Sequence, residues 1–289
     1  MTATSLCWMN HEIKPTDECS ISVLDHGLLY GDGIFEGLRF YHRHVLHLEQ
    51  HLQRLQNSAH ALQLTLPFSL AEIGAAIETL INQYGEPSGY LRLVVTRGKG
   101  NLGLNPRHCP QANLFIIVDQ LSLASSQAQL GGLKLVTSSI RRTTGTGLDA
   151  RVKSLNYLHS VLARIEANAA DADEAILLNE RGYIAEGTAE NLFIEIDGAL
   201  QTPPCSDGAL GGITRLTVIR LARQLGIDVQ ERSLTPYDVY NADACFLTGS
   251  GAGLLPVAEL DGRVLASPNG ELFKKLKQAF EQYIEAQCQ

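Results

Sequence analysis

The sequence lacks the features that characterise secreted, membrane-spanning and nucleic-acid-binding proteins. Its 289 residues carry a net charge of −8 and contain only six cysteines, which have no close spacing. Scattered cysteines exclude a disulfide-dense scaffold and a cysteine-ligated zinc site. An acidic chain is a poor partner for nucleic acid or anionic membrane, and no run approaches the roughly 20 apolar residues of a membrane span. Because the first ten residues show no secretory signal, we expect a cytoplasmic protein.

The histidines between residues 42 and 60 are the nearest approach to a metal-binding pattern. His44, His47 and His51 have a spacing that could place them together on a helix. No acidic partner completes an HExxH motif, and histidines in such positions are commonly solvated or capping residues. We therefore interpret them in that way and expect no metal site.

The composition is that of a folded protein, with 45% hydrophobic residues and enough length for two domains. In the first part of the chain, the patterns predict strands over 20–24, 37–41, 90–96 and 113–118 and helices over 48–62 and 69–84. In the second part, they predict strands over 133–137, 174–178, 183–185, 191–196 and 244–247 and helices over 155–168, 214–225 and 271–287. We predict an α+β protein with a small N-terminal α/β domain over residues 1–120, a linker over 121–132 and a larger domain over 133–289.

Three polar features stand out against their apolar surroundings. Lys153 lies among apolar residues just before a predicted helix, where a partly buried amine can act as a nucleophile, although a surface lysine is the alternative. The GGITR stretch over 211–215 opens a predicted helix, and helix N-termini bind phosphate, although a plain capped helix fits equally well. Glu186 ends a predicted strand between apolar segments, and its charge requires a partner there, most simply an arginine in a structural ion pair.

Taken together, these motifs resemble one family. KSLNYL at 153–158, EAILLNERGYIAEGTAENLF at 174–193, GGITR at 211–215 and FLTGS at 246–250 follow each other as in the class IV (fold-type IV) pyridoxal-phosphate aminotransferases. DHGLLYGDGIFEGLR at 25–39 and HLQRL at 51–55 extend the resemblance over about residues 8 to 285. Within the family, the branched-chain amino acid aminotransferases are the most similar group. The resemblance implies a two-domain fold of the D-amino acid aminotransferase type.

The resemblance implies pyridoxal 5′-phosphate as the cofactor and assigns residues to it. Lys153 would carry the covalent link to the cofactor and later move the substrate proton, and Glu186 would pair with the pyridine nitrogen. Tyr157 would bond the ring hydroxyl, at a spacing from Lys153 that is one residue shorter than in some branched-chain enzymes. The implied ligands of the phosphate are Arg54, Ile213, Thr214 and Ser250.

The resemblance also implies residues that contact the amino acid and 2-oxo acid substrates. Those from the small domain are Tyr30, Phe35, Gly37, Arg39, Tyr90 and Arg92, together with Leu104 on a loop that would reach across a dimer interface. From the large domain, Gly251 and Ala252 would present backbone N–H groups to the substrate carboxylate. Two departures are visible: Gly251-Ala252-Gly253 is richer in glycine than the usual turn, and His11 stands where a hairpin glycine is common.

The leading functional hypothesis is transamination of branched-chain L-amino acids with 2-oxoglutarate by a homodimer or higher homo-oligomer. A D-amino acid or (R)-amine transaminase and a 4-amino-4-deoxychorismate lyase are the enzyme alternatives on the same fold. A catalytically silent binding protein with the pyridoxal-phosphate fold is the alternative that is not an enzyme. The FEGLR and YLR segments favour the branched-chain type, and the presence of both Lys153 and Glu186 argues against a silent protein.

Overall fold

A computed structural model of the chain describes residues 4–121, 131–144 and 147–289. The chain divides into two compact units. The first unit comprises Met1–Leu121, Val152–Asn156 and Ile284–Gln289, and the second comprises Ser122–Arg151 and Tyr157–Tyr283. Residues 122–130 of the predicted linker lie outside the described residues.

The first unit includes two segments that the sequence places in the domain over 133–289. One of them, Val152–Asn156, joins this unit through backbone pairing. The Phe35 N–H donates to the Lys153 carbonyl at 3.0 Å, and the Leu155 N–H donates to the Gly33 carbonyl at 2.9 Å. Local periodicity carries no information about pairing between segments so far apart in the chain, so the sequence prediction assigned this segment by position alone.

The first unit contains a six-stranded antiparallel sheet with strand order β2-β1-β6-β5-β3-β4. Its strands are β1 (Leu6–Met9), β2 (Glu12–Pro15), β3 (Gly33–Tyr41), β4 (His44–Val45), β5 (Gly89–Thr96) and β6 (Asn113–Asp119). Its helices are α1 (His26–Tyr30), α2 (Leu48–Ala61) and α3 (Leu70–Tyr84). Alternate residues of β3, β5 and β6 are fully buried and form one core with residues of α2 and α3. The strand residues include Ile34, Leu38, Leu91, Leu93, Ile116 and Val118, and the helix residues include Leu55, Ile77 and Leu80.

Helix α3 shows how local sequence sets an element of this core. Ser69 is its N-cap and accepts a hydrogen bond from the Glu72 N–H at 3.3 Å, while the Glu72 carboxylate accepts from the Ser69 N–H at 2.8 Å. This reciprocal capping box satisfies two backbone donors at the helix start. The predicted helix over 69–84 is therefore confirmed.

The predicted strand over 20–24 is wrong. The Asp25 N–H donates to the Ser22 carbonyl at 2.9 Å, which turns the chain, and the Asp25 side chain then accepts from the Gly27 N–H at 2.8 Å at the start of α1. Turn and capping chemistry thus outweighs the β-rich composition of this run. The β1–β2 hairpin has its turn at Asn10 and His11, which adopt φ values of 52° and 67°, so His11 does stand at a hairpin turn.

The second unit contains a mixed nine-stranded sheet with order β12-β11-β10-β13-β14-β7-β8-β9, and β15 pairs with β14. Its strands are β7 (Leu133–Arg142), β8 (Glu174–Asn179), β9 (Ile184–Gly187), β10 (Asn191–Ile196), β11 (Ala199–Thr202), β12 (Val229–Glu231), β13 (Ala244–Gly249), β14 (Gly253–Leu260) and β15 (Arg263–Val264). The remaining helices are α4 (Leu158–Ala169), α5 (Ile213–Gln224), α6 (Pro236–Tyr240) and α7 (Glu271–Gln287), the last of which continues into the first unit.

A turn at Asp197 and Gly198 joins β10 to β11 as an antiparallel hairpin, with φ values of 51° and 74° at the two residues. Such a pair of left-handed residues is typical of a two-residue hairpin turn. Helix α4 begins at Leu158 and not at residue 155, because residues 153–155 pair with β3. Helices and sheets in both units confirm the predicted α+β class.

Candidate active site

Lys153 is fixed at the edge of β3 in the first unit. Its carbonyl accepts from the Phe35 N–H at 3.0 Å, and its own N–H donates to Ser58 Oγ of α2 at 3.3 Å. Its Nζ lies 4.4 Å from the centre of the Phe35 ring. The side chain is half-buried. An amine held against an aromatic ring on a rigid backbone is well placed to act as a nucleophile.

Beside Lys153, the face of the sheet that is not covered by α2 and α3 carries five of the predicted substrate residues. They are Phe35, Gly37 and Arg39 on β3 and Tyr90 and Arg92 on β5; Gly37 pairs with Arg92, and Arg39 pairs with Tyr90. Paired residues of antiparallel strands project to the same face. The sheet therefore gathers these five residues on one surface.

The aromatic and cationic side chains on this surface pack against each other. The Arg92 guanidinium lies 4.6 Å from the centre of the Phe35 ring and 5.5 Å from that of Tyr90. At Gly37, a Cβ atom would lie only 2.2 Å from the Tyr90 hydroxyl oxygen, so the absence of a side chain at this position makes room for that hydroxyl. The surface thus offers apolar rings with a fixed positive charge between them.

The two other predicted substrate residues of the first unit lie outside this surface, on α1 and on the loop after β5. The Tyr30 hydroxyl donates to the Leu102 carbonyl, which ties the loop to α1. Leu104 on the same loop is 76% exposed. Its predicted contact with a second subunit stays a prediction.

Arg54 lies on α2 and binds a buried acidic residue that the sequence did not single out. Its Nε and Nη2 donate to the two carboxylate oxygens of Glu36 at 2.8 and 2.6 Å. His51 binds the same carboxylate through Nδ1 at 2.7 Å, and it is 1% exposed. The interpretation of His51 as a solvated or capping histidine is therefore wrong, because the side chain is a buried partner of Glu36.

Glu186 lies on β9 in the second unit, and its carboxylate is bound from two sides. Its Oε1 is 3.0 Å from Arg142 Nη2, which confirms the expected ion pair with an arginine. Its Oε2 accepts from the Leu210 N–H at 2.9 Å and from Asn191 Nδ2 at 3.4 Å. The carboxylate is nearly buried and has a fixed orientation, as a partner for a ring nitrogen requires.

Arg142 connects Glu186 to a histidine that sequence reasoning missed. Its Nε donates to the Gly208 carbonyl at 3.2 Å, and its Nη1 donates to His159 Nε2. Burial and the charge of Arg142 lower the pKa of His159 to about 4, so the ring is neutral at pH 7 and accepts this bond. The only sequence signal was the general need of Glu186 for a cation, which does not select Arg142 among the 16 arginines.

A further buried acid follows Glu186 by four residues. Burial and the charge of Glu174 raise the pKa of Glu190 to about 8, and Glu186 contributes to the shift. Glu190 is thus largely protonated at neutral pH and adds little negative charge to that of Glu186.

Helix α5 begins at Ile213, one residue before the predicted start. Its N-cap, Gly212, offers no side chain to the first N–H groups of the helix, and Ile213 and Thr214 are both buried. A Cβ atom at Gly212 would lie 2.0 Å from Asn191 Oδ1, and Asn191 Nδ2 donates to the Leu210 carbonyl at 2.9 Å. The start of α5 is therefore packed through Asn191 against the residues that bind Glu186. A helix start without a side-chain cap fits an anionic group such as phosphate.

Ser250 opens the three-residue loop from β13 to β14. Gly249 pairs with Gly253 across this loop, and Gly253 has a φ of 66°, which a residue with a side chain rarely adopts. This geometry gives Gly253, the second glycine of the Gly251-Ala252-Gly253 departure, a local role in the turn.

Tyr157, the residue assigned to the cofactor's ring hydroxyl by resemblance, is the N-cap of α4. The centre of its ring lies 5.9 Å from that of the His159 ring.

Metal clusters and membrane spans are both absent from the part of the chain that the structure describes. No group of three or more histidine, cysteine, aspartate or glutamate side chains there is arranged to hold a metal ion. None of the helices in those ranges combines the length and apolar character that crossing a bilayer demands.

Known proteins share the motifs and the fold of this chain. The family model described as amino-transferase class IV matches residues 33–260. The chain belongs to this family. A relative from Methanocaldococcus jannaschii, provisionally named a branched-chain-amino-acid aminotransferase, is 45% identical over 277 residues, which cover 95% of this chain and 94% of the relative. The likeness in sequence thus extends over nearly the whole chain.

Solved structures of branched-chain amino acid aminotransferases share the fold. The enzyme from Escherichia coli has a TM-score of 0.94 at 32% identity, covering 99% of this chain and 96% of its own. The enzyme from Thermobaculum terrenum, solved in its pyridoxal-phosphate form, has a TM-score of 0.87 at 29% identity with the same coverage. These likenesses confirm the predicted fold-type IV class.

Proposed function

We propose that this class IV aminotransferase uses pyridoxal 5′-phosphate to transfer the amino group of branched-chain L-amino acids to 2-oxoglutarate. The observation that carries the proposal is the position of Lys153, whose amine lies 4.4 Å from the Phe35 ring at the edge of the surface that bears Arg92 and Tyr90. An apolar surface with a fixed cation suits substrates that are apolar in one half-reaction and carry a second carboxylate in the other.

The residues described above fit the cofactor by the chemistry of their donors. When bound, the cofactor supplies a ring that withdraws electrons from the substrate Cα. Lys153 would provide the amine that holds the cofactor covalently, and once the substrate amine had replaced it there, the freed lysine amine would accept the proton from the substrate Cα. Glu186 would hold the pyridine nitrogen by a hydrogen bond, and its ion pair with Arg142 favours the charged carboxylate that such a bond would require.

The phosphate is assigned to Arg54 and to the start of α5, with Ser250 as a further donor. The backbone N–H groups of Ile213 and Thr214 and the Arg54 guanidinium are each suited to a dianion. Tyr157 is assigned to the ring hydroxyl.

We further propose that the protein is a homodimer. Helix α4 exposes four large apolar side chains at helical spacing, namely Leu158, Val161, Leu162 and Ile165. Positions i, i+3, i+4 and i+7 form one stripe on a helix, and a monomer rarely leaves such a stripe in water. A second copy of the chain, which presents the same stripe, is the proposed partner.

A substrate screen tests the proposal. L-Leucine, L-valine, D-alanine and (R)-phenylethylamine are each offered as amino donor with 2-oxoglutarate or pyruvate as acceptor. We expect turnover with the two branched-chain L-amino acids and 2-oxoglutarate, with ping-pong kinetics. Turnover confined to D-alanine or to the (R)-amine would replace the branched-chain assignment, and no turnover with any pair would remove it.

A further inference from the structure

Glu36 is a charged residue in the hydrophobic core of the first unit. It lies on β3 between Phe35 and Gly37, so its side chain points to the opposite face of the sheet from theirs. On that face its strand neighbours are Ile34 and Leu38, and its exposed fraction is 0%. A carboxylate in such surroundings destabilises the fold unless it is paired.

Helix α2 supplies the partners of this carboxylate. Arg54 binds it through two nearly parallel bonds, from Nε to Oε1 at 2.8 Å and from Nη2 to Oε2 at 2.6 Å. His51, one helical turn earlier, adds a third bond from Nδ1 to Oε2 at 2.7 Å. A pair of bonds to one guanidinium fixes the plane of that group as well as its distance, which a single bond does not.

The electrostatics of the cluster show which members are charged. Burial alone would raise the pKa of Glu36, but the charge and bonds of Arg54, together with His51, hold it at about 2. Burial lowers the pKa of His51; the hydrogen bond and charge of Glu36 oppose this shift, and the charges of Arg54 and Lys153 act in the same direction as burial. At neutral pH the cluster therefore contains a carboxylate, a guanidinium and a neutral imidazole that donates through Nδ1.

The two elements that bear this cluster also hold Lys153. Phe35, adjacent to Glu36 on β3, donates its N–H to the Lys153 carbonyl at 3.0 Å. Ser58, one turn after Arg54 on α2, accepts from the Lys153 N–H at 3.3 Å. The Glu36–Arg54 bonds therefore fix α2 to β3 between two attachment points of the lysine segment.

We propose that Glu36 is a positioning residue, which orients the Arg54 guanidinium toward the cofactor phosphate and is itself held in place by His51. This inference rests on the phosphate role proposed above for Arg54. A guanidinium has five N–H donors, so one edge can bind a carboxylate while another binds an anion. The alternative is that Glu36 merely stabilises the core.

Two opposing effects on phosphate affinity follow from this arrangement. Orientation by Glu36 strengthens binding because less freedom of the arginine is lost when the phosphate binds. The negative charge of Glu36 weakens binding because it partly neutralises Arg54. We expect orientation to dominate, since two short charge-assisted bonds fix the arginine. Whether replacement of Glu36 weakens or strengthens phosphate binding therefore tests the inference.

The experiment compares two probes, pyridoxal phosphate and pyridoxal, which differ only in the phosphate. Each is titrated into the full-length protein after removal of bound cofactor, and binding is followed by absorbance. The variants are Glu36→Gln, Arg54→Gln and the double variant, with Glu78→Gln on the exposed surface of α3 as the matched control. Glu36→Gln should weaken binding of pyridoxal phosphate by about 10-fold or more, while its affinity for pyridoxal stays within roughly 2-fold of the parent.

The double variant decides whether Glu36 acts through Arg54. If it does, adding Glu36→Gln to Arg54→Gln causes little further loss of affinity for pyridoxal phosphate. Equal losses for both probes, unchanged affinity for both, or tighter binding of pyridoxal phosphate in Glu36→Gln would each overturn the inference. Unchanged affinity in Arg54→Gln would overturn it together with the proposed role of Arg54, whereas a loss in Arg54→Gln alone would overturn only the role of Glu36.

Glu36→Asp keeps the measurement available if the neutral amide prevents folding. Aspartate retains the charge that Arg54 and the core require but is shorter by one methylene, so it cannot keep both bonds at the present positions of the backbone. The same selective loss for pyridoxal phosphate is expected. Binding of pyridoxal phosphate at the affinity of the parent would contradict the inference.

Discussion

Replacing Gly212 by alanine should impair both stability and cofactor binding, because the start of α5 has no room for a side chain. The added Cβ would lie 2.0 Å from Asn191 Oδ1, whereas comfortable non-bonded contacts begin at roughly 3.5 Å. Either Asn191 or the start of α5 must therefore move by the difference between these two distances. Asn191 is not free to move at no cost, because its Nδ2 bonds the Leu210 carbonyl at 2.9 Å and Glu186 Oε2 at 3.4 Å.

The expected losses of stability and of cofactor affinity follow from these contacts. Overpacking of this kind typically costs about 1–3 kcal/mol, and each bond of Asn191 that is lost adds about 1 kcal/mol. For a unit of this size, the melting temperature should fall by roughly 2–4 °C for each kcal/mol. Because the same shift displaces the N–H groups assigned to the phosphate, affinity for pyridoxal phosphate should fall on the order of 10-fold.

The neighbouring glycine provides the control. A Cβ atom at Gly211 would meet Cys205 Sγ at 3.8 Å, an ordinary contact, so Gly211→Ala should behave like the parent in thermal unfolding and in cofactor titration. Asn191→Ala removes the atom that clashes, so Gly212→Ala should cause little additional loss in that background. Equal behaviour of Gly211→Ala and Gly212→Ala in both assays would refute the reasoning.

Three further predictions concern other parts of the site. Gly37→Ala should raise KM for the amino acid because its Cβ would lie 2.2 Å from the Tyr90 hydroxyl, and steady-state kinetics should show partial rescue by Tyr90→Phe; an unchanged KM would contradict the packing described. Arg142→Met should lower kcat by about 10-fold or more through loss of its 3.0 Å ion pair with Glu186, and activity equal to the parent would contradict a functional role for that pair. The pKa of His159 is lowered from 6.5 to about 4, so the stability it contributes is complete above pH 6.5 and is lost as the pH falls toward 4. His159→Gln should flatten this part of the stability profile in denaturant titrations, and an identical profile would contradict the assignment.

The parts of the fold that follow from local pattern could be predicted from the sequence. Helix α3 has both its apolar period and its capping box in the sequence, and the turn at Asp197 and Gly198 is a local signal. The grouping of Phe35, Gly37 and Arg39 on one face follows from strand alternation alone. What the sequence could not reveal is pairing between distant segments, and this decides that Lys153 belongs to the first unit.

The partners of the buried charged residues could not be predicted from the sequence either. Phe35 and Gly37 on either side of Glu36 point to the opposite face of the sheet, and only the packing of α2 shows that Glu36 meets Arg54 and His51. The need of Glu186 for an arginine was predictable, but its identity as Arg142 depends on the path of β7 beside β8. Electrostatic partners of this kind depend on tertiary structure and not on sequence spacing.

The most direct test of the account is the identity of the lysine that carries the cofactor. Pyridoxal phosphate bound to the full-length protein is fixed to its lysine by borohydride reduction, and the labelled peptide is identified by mass spectrometry. We expect the phosphopyridoxyl group on Lys153 and on none of the other six lysines. A label on any other lysine, or no label in protein saturated with pyridoxal phosphate, would contradict the central claim.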